Sequence, residues 1–197
     1  MTSFDLAAMA ARLKAQYGAL IPTVVIVDMQ PVYAPANDPA VLAAVAREIE
    51  IAAINGWPVV VLECTPDIGG GTHKVLIDML ESLAVTYAVY PKELDDGSIQ
   101  VLKTCVRHGF GTDVMRLCGV HASLCVLKTA LGLKRLLPGC ALHVIEEACG
   151  DGYYPSRDSL STLWPRFTRA DILVLSQDAG FVNSAKTLTV LENYYAL

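Results

Sequence analysis

Thr23-Val24-Val25-Ile26-Val27-Asp28-Met29-Gln30 decides the fold. Five β-branched residues in a row favour extended backbone, and the run ends abruptly at a carboxylate. A strand with one wet face alternates apolar and polar residues. This one does not alternate, so it reads as a strand covered on both faces, the habit of parallel sheets under helices. The same kind of run recurs at Pro58–Leu62, Val85–Tyr90, Val114–Cys118, Ala141–Ile145 and Asp171–Leu175.

Helical patterns lie between these runs. Asn37-Asp38-Pro39 offers a cap and a proline for a first turn. Val41, Val45, Ile49 and Ala52 then recur on one face before Asn55-Gly56 stops the helix. Gly69-Gly70-Gly71-Thr72 leads into a helix over His73–Leu83. Ser98–His108 is a third, with Ile99, Leu102 and Val106 as its expected buried stripe. A fourth spans Ser123–Leu136 before Pro138-Gly139, another starts near Ser156, and Phe4–Tyr17 suggests a short surface helix. Six strands alternating with helices imply an α/β fold: a doubly wound, mostly parallel six-stranded sheet with helices on both faces, a Rossmann-like three-layer sandwich. Ligands of such sheets bind outside the carboxyl ends of the strands.

Composition narrows the class. At 197 residues the chain fits a single domain, 1–197. Hydrophobic residues make up 53% and charged residues 18%, so apolar surface is ample and disorder is excluded. The mean hydropathy of +0.42 fits a sheet covered on both sides together with a subunit interface. The apolar tail Leu188–Leu197 also points to a homo-oligomer. No apolar run approaches the roughly 18 residues of a membrane span. Asp5, Arg12 and Lys14 interrupt what a signal peptide would need to be apolar. The net charge of −5, without a basic cluster, argues against nucleic acid. Cysteines 64, 105, 118, 125, 140 and 149 form no C-x-x-C pair and read as reduced thiols of a cytoplasmic protein. The four histidines lack zinc-ligand spacing.

Three residues at expected strand ends can carry chemistry. Asp28 closes the first strand as a catalytic carboxylate or a turn aspartate. The third strand runs through Val89-Tyr90-Pro91 to Lys92, at its end a cleft cation or a solvated loop lysine. Cys125 falls in the first helical turn after the fourth strand. There the helix dipole and a cation favour a thiolate; an inert buried cysteine is the alternative. Cys105, Cys118, Cys140 and Cys149 suit the inert role. Acid, amine and thiol together meet the needs of a nucleophile: a proton acceptor, a counter-charge and a turn whose N–H groups can hold an oxyanion. On this reading the Cys125 pKa falls below the free value of about 8.5, provided Lys92 and the helix outweigh Asp28. Gly69-Gly70-Gly71-Thr72 lacks the spacings of phosphate-binding loops and reads as a flexible turn. No G-x-S-x-G elbow is present.

Val24-Val25-Ile26-Val27-Asp28-Met29-Gln30, the strand-end Lys92, and Gly119-Val120-x-x-x-x-Cys125-Val126-x-x-Thr129-Ala130 resemble the isochorismatase-like cysteine hydrolases. This superfamily includes nicotinamidases, N-carbamoylsarcosine amidases and isochorismatases. The resemblance covers about residues 20–182. It implies a catalytic triad of Asp28, Lys92 and Cys125. It also implies a cis peptide at Val120–His121, an oxyanion hole from the backbone N–H groups of His121 and Cys125, and an aromatic substrate-binding residue at Tyr33. Tyr33 packing under its loop is the alternative, and Tyr153-Tyr154 are further candidates for a pocket wall. Lys103 rivals Lys92 but shares a polar helix face with Gln100 and Arg107.

Two departures stand out. Ala122-Ser123 occupies the place where family members often carry Thr-Asp. Glu63-Cys64-Thr65-Pro66-Asp67, followed nearby only by His73, lacks the Asp-x-His and further His that hold the nicotinamidase metal. The expectation is therefore no metal, no cofactor and a small-molecule substrate other than nicotinamide. The expected reaction is cysteine-dependent hydrolysis of a small amide or ureide C–N bond through a thioester. A vinyl-ether hydrolase of the isochorismatase type and a non-catalytic binding protein on the same fold are the alternatives.

Overall fold

The computed structural model describes residues 21–65 and 70–177. The expected helix Phe4–Tyr17, the tail Leu188–Leu197 and Gly69 lie outside the described residues. In chain order the elements are β1 (Thr23–Val27), α1 (Pro39–Asn55), β2 (Val59–Cys64), α2 (Lys74–Ser82) and β3 (Tyr87–Lys92). There follow α3 (Ser98–His108), β4 (Val114–Val120), α4 (Leu127–Leu136), β5 (Ala141–Gly150), α5 (Arg157–Ser161), α6 (Trp164–Thr168) and β6 (Leu173–Leu175). The strands form one six-stranded sheet in the order β3-β2-β1-β4-β5-β6, and every pairing is parallel.

Side-chain alternation in β1 and β2 sorts the core into two layers. Val25, Val27, Val60 and Leu62 pack with α3, α4 and α6 through Val101, Ala130, Leu133 and Phe167. Val24, Ile26, Val59 and Val61 pack with α1 and α2 through Val45, Ile49, Leu76 and Leu80. These β1 and β2 residues are all fully buried, which is why their runs show no polar alternation. Helix α1 begins as expected. Asp38 accepts a bond from the Ala40 N–H, Pro39 opens the first turn, and Gly56 ends the helix in the left-handed region at φ 67°.

Several boundaries differ from the sequence reading. β3 starts at Tyr87, two residues later than its apolar run, and ends at Lys92 as expected. β5 continues from Ile145 through Glu146-Glu147 to Gly150. Arg157 donates to the carbonyls of Glu146 and Glu147, and Glu147 accepts the Gln177 N–H, so these charges sit within a bonded strand end. In α3 the buried stripe is Ser98, Val101, Thr104 and Cys105, not Ile99, Leu102 and Val106. Ile99 and Val106 are exposed. A Cβ on Gly132 of α4 would collide with the Ser98 Oγ, so α3 and α4 approach closely along the Ser98 side. Polar Ser98 is thereby enclosed, Ile99 and Val106 face outward, and Leu102 is half-buried.

The chain order reverses between β1 and β4: β1, β2 and β3 build outward on one side, and β4, β5 and β6 on the other. The crevice at the carboxyl ends of β1 and β4 is the topological switch point, where doubly wound sheets bind ligands.

Candidate active site

Asp28 follows β1 directly and takes a left-handed backbone conformation, φ 50°. Its N–H donates to the Leu62 carbonyl at 3.0 Å and its carbonyl accepts from the Gln30 N–H at 2.7 Å. A non-glycine residue there is uncommon, and the tight bend aims the carboxylate over the strand end. Gln30, fully buried, locks the bend to β2. Its Nε2 donates to the Cys64 carbonyl at 3.0 Å and to the Gly70 carbonyl at 2.6 Å, while its Oε1 accepts the Cys64 N–H at 2.7 Å. The third residue of Asp-Met-Gln is thus a clamp between the ends of two strands.

Lys92 ends β3, with Cys64 opposite it in register on β2. β3 lies two strands from β1, roughly twice the 4.8 Å spacing of a sheet. A long side chain is needed to cross that gap, and lysine supplies it. Its Nζ lies 2.8 Å from Asp28 Oδ2 and donates to the Leu94 carbonyl at 3.1 Å. The two side chains are 0% and 1% exposed. Among the described residues, Lys92 and the Cys125 thiol are the groups that bond the Asp28 carboxylate. The rival Lys103 is exposed on α3.

Between β4 and α4 the chain makes a π-helical turn, Ala122–Val126, where the sequence suggested an ordinary first helical turn. The Val120–His121 peptide is cis. The His121 carbonyl accepts the N–H groups of both Leu124 and Val126 at 3.1 Å, which curls the turn and presents Cys125. Gly119, at φ 117°, lies so close to β1 that a Cβ there would collide with the Val27 carbonyl oxygen; this explains the glycine before the turn.

Cys125 is close enough to Asp28 and Lys92 for each to act on the others' protonation. The expected depressed thiol does not appear. Burial first, and then the Asp28 carboxylate, push Cys125 up to about 12, and Lys92 offsets only part of this. Burial also raises Asp28 above its ordinary value, against the pull of Lys92. Burial opposes the Lys92 ammonium too, yet the negative groups around it, Asp28 foremost, raise its pKa overall. Burial and the Asp28 charge thus favour the protonated thiol, while Lys92 favours the ionised carboxylate. Burial also pushes Cys105 up to about 11, and Cys140 and Cys149 up to about 12. A raised pKa does not distinguish Cys125 from these inert thiols; its carboxylate and ammonium neighbours do.

Tyr33 reaches the same place. Burial, then Cys64, then the Asp28 and Cys125 charges raise its hydroxyl pKa, and its ring meets His121 edge-on at 5.7 Å. Tyr153 also neighbours His121, ring centres 6.3 Å apart. Asp151, just past the end of β5 and nearly buried, was not singled out from sequence. Its Oδ2 accepts the Ser123 N–H at 2.6 Å and its Oδ1 the Tyr153 N–H at 2.7 Å. Gly152, next in the chain, donates to His121 Nδ1 at 3.1 Å. An acid just past the end of β5 thus ties down the Ala122-Ser123 turn. An acid closing the fifth apolar strand, as Asp28 closes the first, was the available signal.

Among the described residues no group of three or more His, Cys, Asp or Glu side chains is placed to hold a metal ion. Glu63 accepts the Thr72 N–H at 2.7 Å, and His73 precedes α2 with its Nε2 buried and unbonded. No described helix is long and apolar enough to cross a membrane.

The Isochorismatase domain family matches residues 22–163. No curated protein matches this chain significantly in sequence. Solved structures share the fold. A MAR1 ribonuclease from Caenorhabditis elegans superposes with a TM-score of 0.70 at 20% identity, covering 87% of this chain and 88% of that one. A nicotinamidase from Staphylococcus aureus gives 0.63 at 14% identity, covering 79% and 99%. An N-carbamoylsarcosine amidase from Thermoplasma acidophilum gives 0.59 at 23%, covering 81% and 98%. At these identities the superpositions speak for the fold, whereas the domain match takes in β1, the Asp28 bend, Lys92 and the Cys125 turn. This chain belongs to the isochorismatase-like hydrolase family.

Proposed function

We propose that the protein is a cysteine-dependent, metal-independent hydrolase of a small amide or ureide C–N bond, working through a thioester. One observation carries the reading. A fully buried carboxylate, held by Lys92 at 2.8 Å, lies within hydrogen-bonding reach of the Cys125 thiol. A carboxylate within reach of a thiol, and balanced by an ammonium on its other side, can receive the thiol proton.

In the proposed cycle the Cys125 S–H proton passes to Asp28 as sulfur attacks the substrate carbonyl. Lys92 holds the carboxylate in place and balances the charge that moves between oxygen and sulfur. The tetrahedral oxyanion rests on the His121 and Cys125 N–H groups, with Tyr33 against the substrate. Collapse breaks the C–N bond, and the amine leaves with the proton from Asp28. Water then gives a proton to Asp28 and its hydroxyl to the thioester carbonyl. The acid departs and the proton returns to sulfur. The site belongs to a single domain, 1–197, of a cytoplasmic protein, with no nucleic-acid partner. Exposed Ile99 and Val106 on α3 fit self-association into a homo-oligomer.

The test is a screen of small amides, ureides and carbamoyl compounds, read as ammonia release. Activity should survive chelator dialysis and vanish in Cys125→Ala. Activity that persists without the thiol, or that returns only on adding metal, refutes the proposal.

A further inference from the structure

We infer that Asp95 is a second carboxylate of this cleft, a specificity-determining residue that accepts a hydrogen bond from the N–H of the substrate's scissile amide or ureide group. The inference rests on the amidase reading above and names what that site selects.

Asp95 lies three residues past Lys92 in the β3–α3 connection. Its backbone is tied to α4: Thr129 Oγ1 accepts the Gly97 N–H at 3.0 Å and donates to the Asp95 carbonyl at 3.4 Å. Its two carboxylate oxygens are used differently. Oδ2 takes a charged hydrogen bond from Lys128 Nζ at 2.6 Å. Oδ1 meets the Cys125 sulfur at 3.9 Å. One oxygen is therefore anchored and the other faces the nucleophile. The adjacent Asp96 makes a contrast, since it holds the Ser98 N–H at 2.9 Å and the Arg135 guanidinium at 3.1 Å, away from the thiol.

The Asp95 side chain is 41% exposed, so a molecule entering the cleft can reach it. In the resting state Oδ1 can accept the thiol proton. During attack that proton leaves for Asp28, and Oδ1 then faces a sulfur gaining negative charge, which is unfavourable. A substrate N–H placed against Oδ1 removes the conflict; an ester oxygen or a carboxylate at that place worsens it. Carboxamides and ureides carry that N–H next to the carbonyl that Cys125 attacks. The Lys128 contact fixes the carboxylate's direction, so the preference is built in before substrate arrives.

The thiol itself can report this preference without a known substrate. Iodoacetamide and methyl iodoacetate are both neutral, and both alkylate sulfur with loss of iodide. They differ in carrying an amide N–H or an ester oxygen at the carbonyl. Second-order rates at Cys125, read by peptide mass spectrometry, are compared as a ratio and normalised to free glutathione. Taking a ratio cancels any change in the thiol's own pKa. Wild type should favour iodoacetamide by about tenfold over glutathione, the worth of a hydrogen bond to a charged acceptor. Asp95→Ala should return the ratio to that of glutathione. Asp95→Asn, which keeps a neutral acceptor, should fall between. If Cys125 is alkylated in Asp95→Ala with the wild-type ratio, the role of Asp95 is refuted and the amidase reading stands. If Cys125 resists both reagents in wild type, or Cys125→Ala still hydrolyses amides, the amidase reading falls and this inference with it.

Discussion

Two buried ion pairs, equally hidden from water, are built to opposite ends. Glu48 of α1 and Arg116 of β4 are 0% and 3% exposed, and Asp28 and Lys92 are 1% and 0%. The first pair is saturated. Arg116 Nε and Nη2 bind Glu48 Oε2 and Oε1 at 2.9 and 3.0 Å. Gln177 Nε2 adds a bond to Glu48 Oε1 at 3.0 Å and one to the Ala44 carbonyl at 2.7 Å, and the Trp57 ring lies 5.7 Å from the guanidinium carbon. The second pair has a single contact between its charges, and the carboxylate's other neighbour is the Cys125 thiol. Desolvating a charge costs several kcal/mol, which full hydrogen bonding offsets and a lone contact does not. The saturated pair fastens a helix to a strand; the unsaturated pair keeps a proton site ready beside a thiol.

The sharpest way to break this contrast is to neutralise each acid without changing its shape. Asp28→Asn should lower kcat/KM by about 10³-fold or more, because no group remains to take the thiol proton. Melting should fall as well, because Lys92 is left buried without its counter-charge, so the rate is read on the folded fraction. Glu48→Gln should cost stability alone. It leaves Arg116 buried with an uncompensated charge, at a cost of about 3–5 kcal/mol in denaturant unfolding, while kcat of the folded fraction stays near wild type. An active Asp28→Asn enzyme, or a Glu48→Gln protein as stable as wild type, would erase the distinction.

This contrast also marks what the sequence makes legible. Both layers of the sheet could be read from unbroken β-branched runs, because burial on both faces leaves no room for polar alternation. Asp28, Lys92 and Cys125 could be paired because parallel strands deliver their carboxyl ends to one edge. Partners set by three-dimensional approach were out of reach. Glu48 looks like one more polar position in an amphipathic helix until Arg116 is placed beneath it. Asp151 serves a turn 28 positions away through backbone N–H groups, which leave no trace in side-chain pattern. The α3 stripe differs from the apolar pattern because close packing against Gly132 encloses polar Ser98 while Ile99 and Val106 stay exposed. The thiol pKa was misjudged because its sign depends on how deeply Cys125 and Asp28 are buried together, a magnitude that strand order alone does not supply.

The same carboxylate and thiol give a smaller and more discriminating effect, in the pH profile. Asp28 must be ionised to receive the proton, and burial raises its pKa above the ordinary 3.8. Activity should therefore fall on acidification at a pH above the usual carboxylate range. On the alkaline side Cys125 titrates only at about 12, and Lys92 above its ordinary 10.5. The profile of kcat/KM should stay flat through pH 9, with no limb at the free-thiol value near 8.5. A rise in activity centred near 8.5 would mean that an ionised thiol, not a protonated one, enters the reaction.

The smallest effect tests the saturated pair from its other side. His143 of β5 lies opposite Arg116 in the strand register. Burial, and then the Arg116 charge, lower its pKa from 6.5 to about 4. The folded protein thus keeps this imidazole neutral where the unfolded chain would bind a proton. Between pH 6.5 and 4 the unfolded state binds more protons, so stability is complete above 6.5 and drains away as pH falls towards 4. The loss should reach about 1 kcal/mol by pH 5.5. His143→Gln has nothing to protonate, and its melting temperature should decline less steeply over that range. Its acid limb of activity should match wild type, since that limb belongs to Asp28 at the other edge of the sheet. If both proteins lose stability in parallel from pH 6.5 to 5, His143 is not held neutral by the guanidinium beside it. The saturated pair would then reach no further than its own hydrogen bonds.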